Sequence, residues 1–380
     1  MLMKFNLISA ENDERPVYIT GNFNNWDSRD GDFMLEKLEA DTYSIDIPAH
    51  LLPDNIEYKF TKGGWENVEI DRYGNITRNR KALKGDEAND MVEKWRTNWG
   101  PFKDEFFPII ELISEEFAIP QLDKTRKIWA LLPHNYYKTD RSYPVLYLQD
   151  AQNLFNEGSP FGNWEIDRKM SILAEYGRGG LIIIAIENGH QDRISEYILD
   201  SDSIAQNAEG KKYVRFLADT LKPFVDTTYR TLSEREFTGI GGSSLGGLIS
   251  IYGGFLYPEV YSKLMIFSPS LWVNPDYDFP MMNFKSPYST KVYMYGGLQE
   301  GADMAERMRE FEKRMEGSEN QYSVQFDFKL SFNPEGRHQE FYWSQEFPRA
   351  VEWLFFDSHE DPKELSERAV ADKMKDISQP

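Results

Sequence analysis

Five short apolar segments that alternate with helical patterns set the strongest limit on how this chain can fold. They are YPVLYLQDA, GLIIIAIEN, EFTGIGG, SKLMIFSPS and KVYMYGG, all between residues 143 and 297. Apolar runs of this kind fit strands that are buried on both faces, as in a parallel sheet. Residues 109–122 and 125–136 read as an antiparallel hairpin that opens the sheet. The pattern predicts an α/β fold with a doubly wound sheet.

The first 95 residues have a different pattern. Short alternating or β-branched runs, such as TYSIDIP and IEYKFTKGGW, are separated by clusters of Asn, Asp and Gly. This spacing predicts an immunoglobulin-like antiparallel β-sandwich. Residues 82–101 are charged and strand-poor, so we place a domain boundary there, between domains 1–95 and 96–380. The polar tail after residue 358 is predicted to be a surface helix or partly disordered.

Composition excludes several classes of function. The formal net charge of -20 repels phosphate backbones and anionic membranes, so neither nucleic acid nor a membrane is an expected partner. The chain has no cysteine, which removes disulfides and thiolate nucleophiles. Its beginning lacks the pattern of a secretory signal, and no apolar run approaches the length of a bilayer span. The sequence therefore predicts a soluble cytoplasmic protein.

The segment TGIGGSSLGG carries the first candidate catalytic residue. It places two serines between a predicted strand and a predicted helix, which is the context that a G-x-S-x-G nucleophile motif requires. Centring the motif on Ser244 puts Gly242 and Gly246 at the two flanking places, whereas Ser243 would have a leucine at one of them. We predict that Ser244 is the nucleophile and that Ser243 points away and caps the following helix.

A serine nucleophile needs a base and an acid, which follow it in this fold in the order acid, then histidine. Of the two later histidines, His338 lies in a turn-rich loop before a helix and is the predicted base. The acid is expected just after KVYMYGG, where Glu300 comes first and Asp303 second. Asp303 also fits a helix cap, so Glu300 is preferred and Asp303 stays as the alternative.

Other site residues follow from the order of the elements. Backbone N–H groups of Leu245 and of Gln152, with Ala151 as the alternative to Gln152, are the predicted oxyanion donors. Trp164, Arg193 and Trp272 are candidate substrate-binding residues. Arg193 could bind a polar substrate or pair with Glu196, and Trp164 and Trp272 could be pocket walls or structural aromatics.

Several ordered motifs together resemble a known family. YPVLYLQDAQNLF, IIIAIENGHQDRISEY, FTGIGGSSLGGLISIYGGF, IFSPSLW and GRHQEFYWSQEFPRAVEWLF are similar to motifs of the esterase family of α/β hydrolases, over residues 108–357. That family includes enterochelin esterases, feruloyl and acetyl xylan esterases, and esterase D. The resemblance implies a serine hydrolase of carboxylic esters that uses no metal and no other cofactor, with Ser244, Glu300 and His338 at the matching positions.

Residues 15–82 resemble the starch-binding and glycogen-binding modules. Trp26, Trp65 and Asn79 fall on positions that match the sugar-binding pattern of those modules. The resemblance implies an oligosaccharide as a partner of this region. The alternative is that the two tryptophans only pack the turns of a module that keeps the fold without the binding.

The expected function is hydrolysis of an acylated carbohydrate or a related small ester through an acyl-enzyme. Three alternatives stay open: a siderophore esterase of the enterochelin type, an acyltransferase to sugars, and a glycan-binding protein with an inactive hydrolase domain.

Overall fold

The structure is a computed structural model, and it describes residues 2–11, 13–96, 102–156, 158–199, 207–273, 288–301, 303–317 and 324–356. The chain divides into two compact units, one up to Lys103 and one that begins at Asp104. Each is described by itself below. The predicted surface tail after residue 358 lies outside the described residues.

The first unit is built from β-strands. Its described strands form a sheet with the order β3-β4-β1-β8, a sheet with the order β2-β5-β7, and the pair β6-β9. They are β1 (Leu2–Ser9), β2 (Tyr18–Gly21), β3 (Glu36–Lys37), β4 (Thr42–Pro48), β5 (Asn55–Thr61), β6 (Glu69–Ile70), β7 (Arg80–Leu83), β8 (Ala88–Val92) and β9 (Lys94–Trp95).

The two larger sheets share one hydrophobic core. Phe5 and Tyr43 of one sheet and Ile19 and Phe60 of the other are buried in the same cluster, because alternate residues of each strand point inward. This is the predicted sandwich, but it is not purely antiparallel as predicted, because β1 and β8 pair in parallel. The prediction that residues 82–101 are poor in strands was wrong, since β8 and β9 lie there and β8 pairs in parallel with β1. Their charged side chains, Asp90 and Lys94, are largely buried in ion pairs with Arg80 and Glu11, and such residues conceal the strand pattern in the sequence.

The second unit contains a sheet of eight described strands in the order β10-β11-β13-β12-β14-β15-β16-β17. The strands are β10 (Ile109–Ile119), β11 (Lys124–Leu132), β12 (Val145–Gln149), β13 (Ile182–Ile186), β14 (Thr238–Ser243), β15 (Lys263–Phe267), β16 (Tyr288–Gly297) and β17 (Val324–Asn333). Strand β11 pairs antiparallel with both neighbours, and the other pairs are parallel. The predicted opening hairpin and the predicted α/β fold class are both confirmed.

Helices of the second unit lie between the strands. They are α1 (Ile166–Glu175), α2 (Arg193–Tyr197), α3 (Gly210–Phe216), α4 (Lys222–Thr228), α5 (Leu245–Leu256), α6 (Met304–Gly317) and α7 (Glu340–Val351). None of the helices in the described ranges is both long enough and apolar enough to cross a lipid bilayer.

The parallel register decides where chemistry can take place. Strands β14, β15 and β16 are neighbours and end at Ser243, Phe267 and Gly297, at the same edge of the sheet. The residues that directly follow these three strands are therefore brought together, as is general for open α/β sheets.

Candidate active site

Ser244 occupies a sharp turn between β14 and α5. Its backbone has φ of 57° and ψ of −124°, a region that a residue with a side chain rarely adopts and that costs about 1–3 kcal/mol. Backbone hydrogen bonds hold the turn in place: the Ser244 N–H donates to the Phe267 carbonyl at 3.0 Å, and the Ser270 N–H donates to the Ser244 carbonyl at 3.1 Å. The strained turn is the geometry of a nucleophile elbow.

Glycine is required on both sides of the turn. A Cβ on Gly242 would lie 2.9 Å from the carbonyl carbon of Gly246, and a Cβ on Gly246 would lie 2.7 Å from Asp150 Oδ2. Both distances are too short for a side chain. Ser243, by contrast, is the last residue of β14, and the N-cap of α5 is Ser244, which makes no capping hydrogen bond with its side chain. The prediction that Ser243 caps the helix was wrong, because the helix begins one residue later.

Glu300 and His338 form a hydrogen-bonded pair. His338 Nδ1 lies 2.8 Å from Glu300 Oε2, the glutamate side chain is fully buried, and the imidazole is 43% exposed. Because an ionised carboxylate only accepts, Nδ1 carries the proton and Nε2 is left as a proton acceptor. The other carboxylate oxygen of Glu300 accepts from the Gly297 N–H at 2.7 Å and from Ser268 Oγ at 2.7 Å.

Close contact between two loops sets the position of this pair. A Cβ on Gly297 would lie 2.2 Å from the carbonyl carbon of Gly336, so the loops that carry Glu300 and His338 touch backbone to backbone. The Gln299 N–H donates to the Gly336 carbonyl at 2.9 Å. Residues 38 apart in sequence are thereby held at hydrogen-bonding distance.

Asp303, the alternative acid, has a different partner. Its carboxylate is 59% exposed and accepts from Arg307 Nε at 2.7 Å, one turn along α6. That hydrogen bond lowers the pKa of Asp303. The structure thus brings Glu300 to His338 and places Asp303 at the start of a helix.

The predicted oxyanion donors lie on adjacent segments. Leu245 is the first residue of α5, so its N–H has no partner within the helix. Gln152 lies in a single turn that follows Asp150, a residue in the left-handed conformation with φ of 62°. Gln152 Oε1 accepts from the Asn188 N–H at 3.1 Å, so its side chain anchors the loop and leaves the donor role to its backbone.

Arg193 supports the same loop. It donates two hydrogen bonds to the carboxylate of Asp150, at 2.6 and 2.9 Å. Burial alone would lower the pKa of Arg193, but the bonds and charge of Asp150 outweigh it and raise that pKa. The suggested pairing of Arg193 with Glu196 was wrong, because Glu196 is buried and both of its carboxylate oxygens accept from Nη2 of Arg126 on β11.

The two candidate tryptophans have different environments. Trp164 is 2% exposed and stacks on Phe267 with ring centroids 5.2 Å apart. It is a core aromatic, and its predicted place in a pocket wall does not agree with this burial. Trp272 is 56% exposed and lies two residues after Ser270, whose Oγ is 3.3 Å from Ser244 Oγ. Trp272 is thus the one of the two that solvent or a ligand reaches.

Several residues at this edge were missed by sequence reasoning. Ser268, Ser270 and Glu340 lie within the motifs IFSPSLW and GRHQEFYWSQEFPRAVEWLF, but the sequence assigned them no role. Glu340 is 7% exposed and accepts from Asn153 Nδ2 at 3.1 Å, and burial raises its pKa. The rule that located Glu300, that residues directly after a buried parallel strand face the site, also applies to the SPS segment after β15 and would have found both serines.

In the first unit, the structure brings Trp26 and Trp65 together. Their ring centroids are 6.2 Å apart with an interplanar angle of 40°, and Trp65 is 42% exposed. Asn79 is exposed, and its Nδ2 donates to Glu57 Oε2 at 3.2 Å. The described structure gives no contact between Asn79 and the tryptophan pair.

Comparisons with known proteins agree with this fold. The chain is 23% identical to the uncharacterized protein YbbA of Bacillus subtilis (strain 168) over 240 residues, which is 60% of this chain and 92% of that protein. The BES protein from Bacillus cereus has a similar structure, with a TM-score of 0.51 and 18% identity over 65% of this chain and 95% of that one.

A shorter segment of 86 residues is 33% identical to an alpha-amylase of Niallia circulans, which is 21% of this chain and only 6% of the amylase. The family model described as "Putative esterase" matches residues 119–354, which include Ser244, Glu300 and His338. The chain therefore belongs to this esterase family of α/β hydrolases and is a carboxylic-ester hydrolase.

Proposed function

We propose that the chain hydrolyses esters through a covalent acyl-enzyme on Ser244. The proposal rests on the hydrogen-bonded pair of Glu300 and His338. Nε2 of His338 is left as a proton acceptor, and the pair lies at the same edge of the sheet as Ser244 in its strained turn. His338 takes the proton from Ser244 Oγ as the oxygen attacks the ester carbonyl. Glu300 keeps Nδ1 protonated and stabilises the imidazolium that forms.

The backbone N–H groups of Leu245 and Gln152 donate hydrogen bonds to the negatively charged oxygen of the tetrahedral intermediate. The alcohol leaves with the proton that His338 holds. Water then attacks the acyl-serine, His338 takes its proton, and collapse of the second intermediate releases the acid and restores Ser244. Arg193 acts indirectly, since its two bonds to Asp150 fix the loop that carries Gln152.

The proposed substrate is an acylated carbohydrate or a related small ester. Two observations support the carbohydrate part: the 86-residue segment similar to an alpha-amylase, and the partly exposed tryptophan pair of the first unit. Flat aromatic faces stack well on sugar rings. We infer that Trp26 and Trp65 bind an oligosaccharide. Asn79 would add a polar contact to the sugar when its hydrogen bond to Glu57 is broken. At the catalytic edge, the exposed ring of Trp272 offers an apolar wall to the substrate.

A panel of p-nitrophenyl acetate, an acetylated sugar and a feruloyl ester tests the activity. We expect turnover of at least one ester by the full chain and loss of that turnover by a factor of about 10⁶ in Ser244→Ala. A Ser244→Ala variant that keeps its activity would overturn the mechanism. Product analysis with added acceptor sugars distinguishes hydrolysis, which gives free acid, from acyl transfer, which gives a new sugar ester.

Glycan binding is tested separately on the full chain by calorimetry with a maltooligosaccharide. We expect binding that is lost in Trp65→Ala and kept in Trp272→Ala. Equal binding by both variants, or no binding by the unmodified chain, would leave the first unit without a sugar-binding role.

A further inference from the structure

Four side chains, among them those of the acid and the base, form a closed ring of contacts. Trp343 Nε1 donates to Ser268 Oγ at 2.9 Å, and Ser268 Oγ donates to Glu300 Oε1 at 2.7 Å. Glu300 Oε2 then binds His338, and the imidazole packs edge to face on Trp343 with ring centroids 5.0 Å apart. The four residues come from the ends of β15 and β16, the base loop and helix α7.

The chemistry of the groups fixes the direction of every bond in this ring. An indole N–H is a donor only, and an ionised carboxylate is an acceptor only. The Ser268 hydroxyl has one proton, so it must accept from Trp343 and donate to Glu300. Glu300 Oε1 is then occupied by the Ser268 hydroxyl and the Gly297 N–H, which leaves Oε2 to His338 alone.

The backbone at Ser268 has a strained conformation. Its φ of 44° lies in the left-handed region, where glycine is favoured over serine. The Ser268 N–H donates to the Tyr295 carbonyl at 2.7 Å, and the side chain is fully buried. Strain of this kind persists where the surroundings hold it, and it occurs often at functional sites. A glycine would fit the backbone without strain but would lack the hydroxyl.

We propose that Ser268 and Trp343 are positioning residues of the reaction: they orient the Glu300 carboxylate and the His338 ring for proton transfer. The proposal rests on the proposed function, because it assigns these residues to the same acid-base pair. Both side chains are buried, at 0% and 4% exposure, so we assign neither of them a contact with substrate. Trp343 acts twice, through its N–H on Ser268 and through its ring on the imidazole, and so couples the orientation of the base to that of the acid.

Two variants of Ser268 separate the hydroxyl from the backbone. Ser268→Ala removes the hydroxyl and keeps the strain, whereas Ser268→Gly removes both. We expect each to lower kcat for p-nitrophenyl acetate by about 10- to 100-fold with KM unchanged, as a misplaced catalytic group does. Trp343→Phe keeps the ring over His338 and removes the N–H, so a smaller loss of about 3- to 10-fold is expected.

Matched controls come from the same unit. Ser171, on α1, is equally buried, and its hydroxyl donates to the Arg168 carbonyl. Trp353 packs on Tyr293 and does not contact Ser268. We expect Ser171→Ala and Trp353→Phe to keep kcat within about twofold, since neither side chain touches the acid-base pair.

The pH profile distinguishes positioning from a merely structural role. A carboxylate with one donor fewer holds the imidazolium proton more strongly, so the acid limb of kcat/KM should move to higher pH in Ser268→Ala and Ser268→Gly. The ionisable neighbours of the pair, Tyr295 and Glu340, are unchanged in both variants.

A wild-type kcat and pH profile in Ser268→Gly would overturn the inference, provided that Ser244→Ala and His338→Ala are inactive. If those two variants were also active, the proposed function itself would be wrong. Should Ser268→Ala fold poorly, Ser268→Gly and Trp343→Phe still test whether Ser268 and Trp343 position the acid-base pair, because neither substitution adds backbone strain or volume.

Discussion

The nucleophile and the acid-base pair are held in place by different means. Ser244 lies in one continuous segment, and its position follows from a strained backbone between a strand and a helix with glycines on both sides. Glu300 and His338 belong to two loops 38 residues apart, and their position follows from contact between Gly297 and Gly336 and from side-chain hydrogen bonds. One region is built locally, and the other is built by tertiary packing.

Because the two regions are held differently, different kinds of substitution should disturb them. The elbow depends on the backbone conformation between Gly242 and Gly246, so substitutions that add volume there should displace the turn or the loop beside it. The acid-base pair depends on partners that lie far away in sequence, such as Ser268 and Trp343. Substitutions at those partners should lower catalysis while the serine keeps its place.

The largest expected effect joins the two regions. Ser244→Ala and His338→Ala should each lower kcat by about 10⁶, and the double variant should be no worse than either, because residues that act as a unit are not additive. Steady-state kinetics on one chromogenic ester measures all three. A double variant that loses much more than the single ones would mean that the two regions act independently.

Glu300 and Asp303 give the next contrast. Glu300→Gln removes the charge that holds the imidazolium and should lower kcat by about 10³ to 10⁴. Asp303→Asn only weakens an exposed bond to Arg307, so its kcat should stay within about twofold. The same chromogenic assay at neutral pH compares them. Loss of activity in Asp303→Asn alone would reverse the assignment of the acid.

Two glycine substitutions compare the regions directly. A Cβ on Gly336 would lie 2.7 Å from the Gly297 Cα and 2.6 Å from the Tyr295 hydroxyl. Gly336→Ala should therefore push the base loop away from the acid loop and lower kcat by about 100-fold.

The matching substitution at the elbow is Gly246→Ala. The new Cβ meets only a side-chain oxygen, that of Asp150, but Arg193 holds this carboxylate by two bonds. We expect a loss of about 10-fold, through displacement of the loop that carries Gln152. A larger loss for Gly246→Ala than for Gly336→Ala would show that the elbow is the less tolerant region.

The sequence predicted the elbow, which is built locally, better than the surroundings of the acid-base pair, which are built by tertiary packing. The motif around Ser244 is complete within ten residues, and strand order then directed the search to Glu300 and His338. Ser268 and Trp343 lie within motifs of the family resemblance, but no residue pattern indicates their roles, because those roles depend on which strand ends are neighbours. The burial of Trp164 and the bond from Arg193 to Asp150 were missed for the same reason: the sequence indicates a nearby segment but not the side that a residue faces.

Strands of the first unit illustrate the same limit. TYSIDIP coincides with β4 because its alternation is clear. The pairing of β1 with β8 joins residues about 80 apart, and the polar residues Asn89 and Asp90 of β8 conceal its pattern. Strand β8 forms because it pairs with β1, although its local composition does not favour a strand.

Ser243→Ala has the smallest expected effect. Ser243 is buried at the end of β14 and is not the residue in the strained turn. Its loss should change kcat/KM by no more than about threefold, the size expected for one hydroxyl outside the reacting groups. A loss comparable with that of Ser244→Ala would mean that the elbow is centred one residue earlier.

Labelling by a fluorophosphonate tests whether Ser244 is the nucleophile, since the reagent reacts with an activated serine whatever ester the enzyme uses. We expect one label per chain, found on Ser244 by peptide mass spectrometry, absent in His338→Ala and kept in Asp303→Asn. A label on Ser243 or Ser270, or an unmodified full chain that takes up no label, would contradict it.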